Sequence, residues 1–363
     1  MNKLAYVDAL RGLAIIAVVM GHAAQYGTLE LPDILTKIVD NGGRGVQLFF
    51  VASAFTLFLS FSNRITKENY PVKNFFIRRF FRIAPMYYLG ICYYLLQDGL
   101  GARYWLGDQT HITVGNILSN IFFIHGINPY WITSLVPGGW SITVEMTFYL
   151  ILPFLFLRVK NINQALIFFI LSLIIRLLFN FVLAQPLISD TWLWKYFLFF
   201  YFPNQLPVFM LGIIMYFAII EKQGLKNISV LSYAMIAGTI VLQLFLAKNT
   251  IYTYHIYFGI LFMFLGIFLS KFKFKLIVNP IIEYIGRVSF SVYLVHFAVL
   301  HWMLHFNFTE FFSNGILNYI TRFLIALVIS VVIAAFFNKA IEKPFQSIGK
   351  RIIDKKEKSR VVS

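Results

Sequence analysis

The chain has 363 residues, of which 59% are hydrophobic and only 13% charged, and it carries a net charge of +16. A soluble globular domain runs nearer roughly 45–50% apolar and about 25% charged, so a soluble helical protein fits poorly. The basic residues lie between apolar runs, with no zinc-finger spacing, helix-turn-helix pattern or aromatic-basic stacking run. This argues against a nucleic-acid partner and for the lipid bilayer.

Apolar windows long enough to cross ~30 Å of hydrocarbon predict ten spans. They fall near 5–26, 45–63, 83–98, 139–158, 162–184, 196–220, 228–247, 251–270, 281–305 and 316–341. The expected fold is all-α, a polytopic membrane bundle of about ten transmembrane helices. The stretch 114–126 is apolar but short, and reads as a re-entrant or interfacial helix. Alternate loops and the two ends hold 22 Lys and Arg, against five in the other loops. The rich side is expected to be cytoplasmic, which places both termini there. Residues 1–345 read as one membrane domain and 346–363 as a basic, solvated cytoplasmic tail without apolar periodicity. A cleaved signal peptide is disfavoured, because the start is nearly uncharged and Arg11 interrupts the first apolar run. The single cysteine, Cys92, excludes a disulfide within the chain.

Charged groups inside a span cost at least about 2.5–3.5 kcal/mol each and are functional suspects by default. The first span carries Asp8, Arg11 and His22. At 100° per residue, Arg11 and His22 return to within about 20° of one face, ~16 Å apart along the axis. Asp8 and Arg11 form an i,i+3 pair. Two readings are open: Asp8 and Arg11 neutralise each other at a boundary with His22 interfacial, or His22 is a base of near-neutral pKa. In residues 74–88, Arg78, Arg79 and Arg82 precede a span that Pro85 is expected to open. They suit either a positive-inside anchor or a phosphate grip, with Arg79 and Arg82 one turn apart.

Glu145 lies about one and a half turns into a span with no basic neighbour in sequence. It needs a partner from another helix, for which Arg176, Arg287 and Arg322 are available, or it is catalytic. Trp140, just before it, reads as an interfacial belt residue. Ser289, Tyr293 and His296 are spaced four and three apart and share a face, although Ser289 could equally bond its own helix backbone. His296, His301 and His305 resemble a metal pattern only weakly, nothing like HExxH accompanies them, and no metal is expected.

Five motifs stand in order: DALRGLAIIAVVMGH (8–22), FFVASAF (49–55), FFIRRFFRIAPMYY (75–88), WSITVEMTFYLILP (140–153) and SFSVYLVH (289–296). Together they resemble the acyltransferase-3 family of bacterial membrane acyltransferases, across nearly the whole chain. The resemblance implies a ten-helix bundle in the bacterial cytoplasmic (inner) membrane. It would move an acyl group, commonly acetyl, from cytoplasmic acetyl-CoA or another acyl-CoA to a hydroxyl of an outer-face glycan. By this match His22 is the family's essential histidine, which would either deprotonate the acceptor hydroxyl or transiently carry the acyl group, and Arg11 its paired arginine. Arg79 and Arg82, with Arg78 beside them, match the motif on the CoA side, and Glu145 the acid of the tryptophan-serine-glutamate span. Asp8, Ser53, Trp140, Ser289, Tyr293 and His296 are expected to support the site. Glycan-synthesis or export proteins are candidate partners. Two departures stand out: Ser53-Ala54 replaces a frequent serine-glycine pair, and no extracytoplasmic hydrolase-like domain, such as some members carry, is present in this sequence. The competing reading is a transporter or flippase for a small anion or lipid-linked sugar, which intramembrane charges fit equally well; a structural role in a glycan-exporting complex is a further one.

Overall fold

The computed structural model describes residues 4–28, 30–221, 251–272 and 274–358. Among these the chain is helical, with no strand. In chain order the helices are α1 (Ala5–Ala23), α2 (Asp33–Asp40), α3 (Gly45–Ser62), α4 (Pro71–Asp98), α5 (Val114–Ile121), α6 (Gly139–Arg158) and α7 (Ile162–Val182). There follow α8 (Thr191–Phe200), α9 (Phe202–Ile220), α10 (Ile251–Lys271), α11 (Pro280–Arg287), α12 (Ser289–His305), α13 (Gly315–Phe337) and α14 (Lys343–Lys358). Local chemistry sets several starts. Thr113, Asn161, Asp190 and Asn314 each accept from the backbone amide three residues on, and Pro71 and Pro280 occupy first-turn positions where no amide donor is needed.

Seven helical segments among the described residues are long and apolar enough to cross a membrane. They are Ala5–Ala23, Asp33–Ser62, Gly139–Arg158, Ile162–Val182, Thr191–Ile220, Tyr254–Lys271 and Gly315–Lys358. The expected span at 281–305 is broken: α11 and α12 meet at Val288 with a bend of 79°, and count as an eighth only if taken as one. The expected span at 228–247 lies outside the described residues. Pro85 does not open a span. It sits inside α4, which starts about four turns earlier at Pro71. The stretch 114–126 forms the eight-residue α5 and a 3₁₀ turn at His125–Ile127, too short to cross. The basic C-terminal stretch is not featureless, for α14 continues to Lys358, with Ile353 buried and Glu357 accepting from the amides of Asn69 and Tyr70 and from Asn74 Nδ2.

The helices sort into two compact units. The first gathers the described residues of 1–49, 81–90 and 268–351. Here α1 lies against α11 at backbone distance, because Gly12 and Gly286 have no Cβ. A Cβ on Gly12 would meet Ile282 O at 2.2 Å, and one on Gly286 the Asp8 carbonyl at 1.8 Å. On α12, Ser291 donates to the buried Glu342 in a π-helical turn at Asn338–Glu342 that follows α13. The second unit gathers the described residues of 50–80, 91–267 and 352–363. Its core is aromatic: Phe209 stacks on Phe50 and on Phe148 with ring centroids 4.5 and 4.2 Å apart. Gly212 of α9 lets α3 approach, since a Cβ there would meet Val51 O at 2.4 Å and Ala54 Cβ at 2.7 Å. α3 runs as unbroken helix through Ser53 and Ala54, so the missing family glycine leaves no left-handed residue unserved.

Candidate active site

In the first unit, α1 places its three ionisable groups as the periodicity predicts, two at its start and one in its last turn. Asp8 lies 3.8 Å from Arg11 and 4.0 Å from Arg287, which is also 3.7 Å from Glu283. Arg11 is therefore part of a charged cluster at the opposite end of α1 from His22.

His22 meets the third member of the Ser289-Tyr293-His296 face. Its Nδ1 is 2.9 Å from His296 Nε2, and the two rings stack with centroids 5.1 Å apart. Phe297 packs on His22 at 4.4 Å, and Tyr293 lies 5.8 Å from His296 and edge-on to Phe49. Ser289, Tyr293 and His296 are all buried. The proton positions follow from the partners. The Val292 carbonyl, 3.2 Å from His296 Nδ1, can only accept, so that nitrogen carries the hydrogen. In a neutral ring His296 Nε2 is then an acceptor, and His22 Nδ1 must donate to it. His22 Nε2 is left with a lone pair. One ring thus fixes the tautomer and orientation of the other, as a carboxylate does for the histidine of a hydrolase triad.

The second unit holds Ser53, Glu145 and Tyr149. The Ser53 hydroxyl and the Tyr149 hydroxyl both donate to Glu145 Oε1, each at 2.6 Å. The arginines offered as partners of Glu145 are engaged otherwise: Arg176 donates to Asn204 Oδ1 at 2.7 Å, Arg287 faces Asp8 and Glu283, and Arg322 faces Glu310. Charge neutralisation is replaced here by two short hydroxyl donors, a pattern no spacing rule in the sequence signals. Trp140 is not a belt residue. It is buried, stacked on Phe200 at 4.5 Å and edge-on to Phe50.

The three arginines of α4 differ in their surroundings. Arg78 grips Glu68 with both terminal nitrogens, at 2.9 and 3.0 Å. Arg79 lies over the rings of Phe75 and Tyr149, at 5.8 and 6.0 Å from their centroids. Arg82 stands one turn further along the helix, partly buried. Arg79 is thus joined through Tyr149 to Glu145, linking two motifs that lie about fifty residues apart in sequence.

A family model described as an acyltransferase domain matches residues 4–339. The chain belongs to the acyltransferase-3 family. Curated relatives agree. A protein of Staphylococcus aureus (strain COL) named a putative O-acetyltransferase is 22% identical over 388 residues, covering 96% of this chain and 58% of that protein. A second, from strain MSSA476 and of the same name, is 22% identical over 94% of this chain and 57% of its own length. The peptidoglycan O-acetyltransferase OatA of Listeria monocytogenes serovar 1/2a is 26% identical over 195 residues, 52% of this chain and 28% of that protein. The family member described here thus spans little more than half the length of the staphylococcal relatives it matches. No solved structure matches it. With its apolar helices and this family, it is a membrane protein.

Proposed function

We propose that the chain transfers an acyl group, acetyl in the first instance, from cytoplasmic acyl-CoA to a hydroxyl of an envelope or extracellular glycan. It would do so in the bacterial cytoplasmic membrane, with both termini on the cytoplasmic side. The observation that carries this reading is the His22–His296 pair, which leaves His22 Nε2 as an oriented base. The relatives named O-acetyltransferases support acetyl as the group and oxygen as the acceptor atom. The listerial protein's name supports a glycan of the cell envelope.

In the proposed reaction the acceptor hydroxyl gives its proton to His22 Nε2 as its oxygen attacks the thioester carbonyl. The tetrahedral intermediate collapses with loss of the C–S bond, and the imidazolium returns the proton to the departing CoA sulfur. His296 holds the ring through both steps. Arg79 and Arg82 would bind the phosphates of the donor, a task for which planar, bidentate guanidinium groups are suited. Arg78 braces Glu68 instead, and Arg11 anchors the start of α1 through Asp8. Glu145 holds Tyr149 beneath Arg79, with Ser53 as its second donor and Trp140 packing the start of the same helix.

The test compares wild type with His22→Ala in washed membranes at matched expression, following label from acetyl-CoA into a base-labile ester of envelope glycan. Label with wild type that falls at least about a hundredfold in the variant supports O-acyl transfer and the role of His22. Equal labelling by both removes His22 from the chemistry, and no label with either removes acetyl-CoA as donor to that glycan.

A further inference from the structure

The last turn of α1, which carries His22, is gripped from α13. The final four carbonyls of a helix have no partner within it. Here Tyr319 OH donates to Met20 O at 2.8 Å and Arg322 Nε to Ala23 O at 3.0 Å, while the amide of Gln25 turns back to His22 O at 2.9 Å. The two α13 donors flank His22 on either side in sequence. They stand three residues apart on their own helix, so they share one face of it.

Arg322 is fully buried, a costly position for a charge unless its donors are all used. They are spread over three chain segments. One terminal nitrogen reaches Thr28 O at 2.8 Å, and the other reaches Thr309 O at 3.0 Å and Glu310 Oε1 at 3.3 Å. Glu310 in turn accepts from the Thr28 amide at 2.6 Å and the Thr28 hydroxyl at 2.7 Å, and from Asn318 Nδ2. The Thr28 donors hold the Glu310 carboxyl below the usual carboxylate range, so it stays ionised opposite the guanidinium. Gly27, at φ +95°, makes the room. A Cβ there would lie 2.3 Å from Arg322 Nη1 and 2.5 Å from Glu310 Oε1. A positive side chain at a helix C-terminus also complements the helix dipole.

We infer that Arg322 and Tyr319 are positioning residues for the His22 base, fixing the last turn of α1 so that the His22 ring meets His296. The inference rests on the reading of His22 as base. The clamp touches backbone, not substrate, so it acts on the rate of the chemical step and not on donor affinity. An ångström of misplacement at a base costs up to about a hundredfold in rate.

The experiment measures kcat and KM for acetyl-CoA with the full chain in detergent, for wild type, Tyr319→Phe, Arg322→Lys and His22→Ala, and for each clamp variant combined with His22→Ala. Tyr319→Phe deletes one oxygen and keeps the ring, so it remains informative if Arg322→Lys fails to fold. The expected result is a kcat lowered roughly tenfold or more in the single clamp variants, with KM within about twofold, and no further loss when His22 is already alanine. A folded Tyr319→Phe with wild-type kcat, in an enzyme that His22→Ala inactivates, overturns the clamp and leaves the base assignment standing. Lower thermal stability with unchanged kcat would mean the same. Full activity of His22→Ala overturns the base, and with it the clamp.

Discussion

Two polar clusters sit among apolar helices in this chain, and their hydrogen bonds end differently. At His22 and His296 the chain of donors runs from ring to ring to a backbone carbonyl and leaves one lone pair over, on His22 Nε2. At Glu145 two hydroxyls converge on one carboxylate oxygen, and Tyr149, one of the donors, carries Arg79 over its ring. The first arrangement prepares a proton acceptor. The second holds side chains in place. A ring held by one nitrogen with a lone pair left on the other is set up to take a proton, whereas two hydroxyls gathered on one carboxylate oxygen tie their own helices to it.

The largest effect expected from this contrast is at His296, which touches no acceptor in the proposed reaction. His296→Ala should lower kcat by about a hundredfold, within the usual range for general-base catalysis, because His22 loses the partner that fixes its tautomer. His296→Gln offers an amide oxygen where Nε2 stood, and should recover part of the loss. Transfer assays on the three proteins at saturating acetyl-CoA check this. Equal activity of wild type and His296→Ala would move His22 into the architectural class.

His125, fully buried, marks the architectural extreme. It lies in the turn before α6, with its Nε2 3.0 Å from the carbonyl of Gly139, the first residue of that helix. Burial pushes its pKa down to about 4, against a carbonyl bond that raises it. The folded chain therefore keeps the ring neutral where the unfolded chain, near 6.5, takes up a proton. Stability is full above about pH 6.5 and falls as the pH drops from there to 4, by about 3 kcal/mol over the window. Thermal unfolding at pH 7 and pH 4.5 should show that loss in wild type and a smaller one in His125→Gln, with transfer activity at pH 7 retained.

Glu145 should divide stability from charge. Glu145→Ala leaves the hydroxyls of Ser53 and Tyr149 without their acceptor, which costs about 1–3 kcal/mol for each group left unsatisfied. Glu145→Gln keeps an oxygen that accepts from both, and should melt near wild type. If Glu145→Gln is as inactive as Glu145→Ala while folding normally, the carboxylate takes part in chemistry and the contrast between the clusters fails there.

What the sequence disclosed follows from the range of each interaction. The shared face of Asp8, Arg11 and His22 was legible because a single helix sets it, and the broken-out Ser289-Tyr293-His296 face for the same reason. That His22 meets His296 was not, since the two residues are 274 apart and the pairing depends on how α1 and α12 pack. Glu145 was visible as a charge in need of a partner, but its partners are uncharged hydroxyls, one of them only four residues on. Pro85 looked like a helix start because proline favours first turns, yet Pro71 takes that place in the same helix. The bend at Val288 lies within an apolar run whose composition is equally suited to one straight span.

The finest test of the comparison is the hydroxyl that joins the carboxylate to the arginine. Tyr149→Phe keeps the ring beneath Arg79 and removes only the bond to Glu145, so the ring's own attraction for the guanidinium is little changed. What is lost is the tether that fixes where the ring, and so Arg79, stands. If Arg79 binds donor phosphates, KM for acetyl-CoA should rise about twofold to fivefold, the size of one net hydrogen bond of roughly 0.5–1 kcal/mol, with kcat unchanged. Arg79→Ala should raise the same KM further, and Tyr149→Phe should add nothing in that background. A Tyr149→Phe effect on kcat alone would place the tyrosine with the histidines and not with the donor, and would redraw the line between the two clusters.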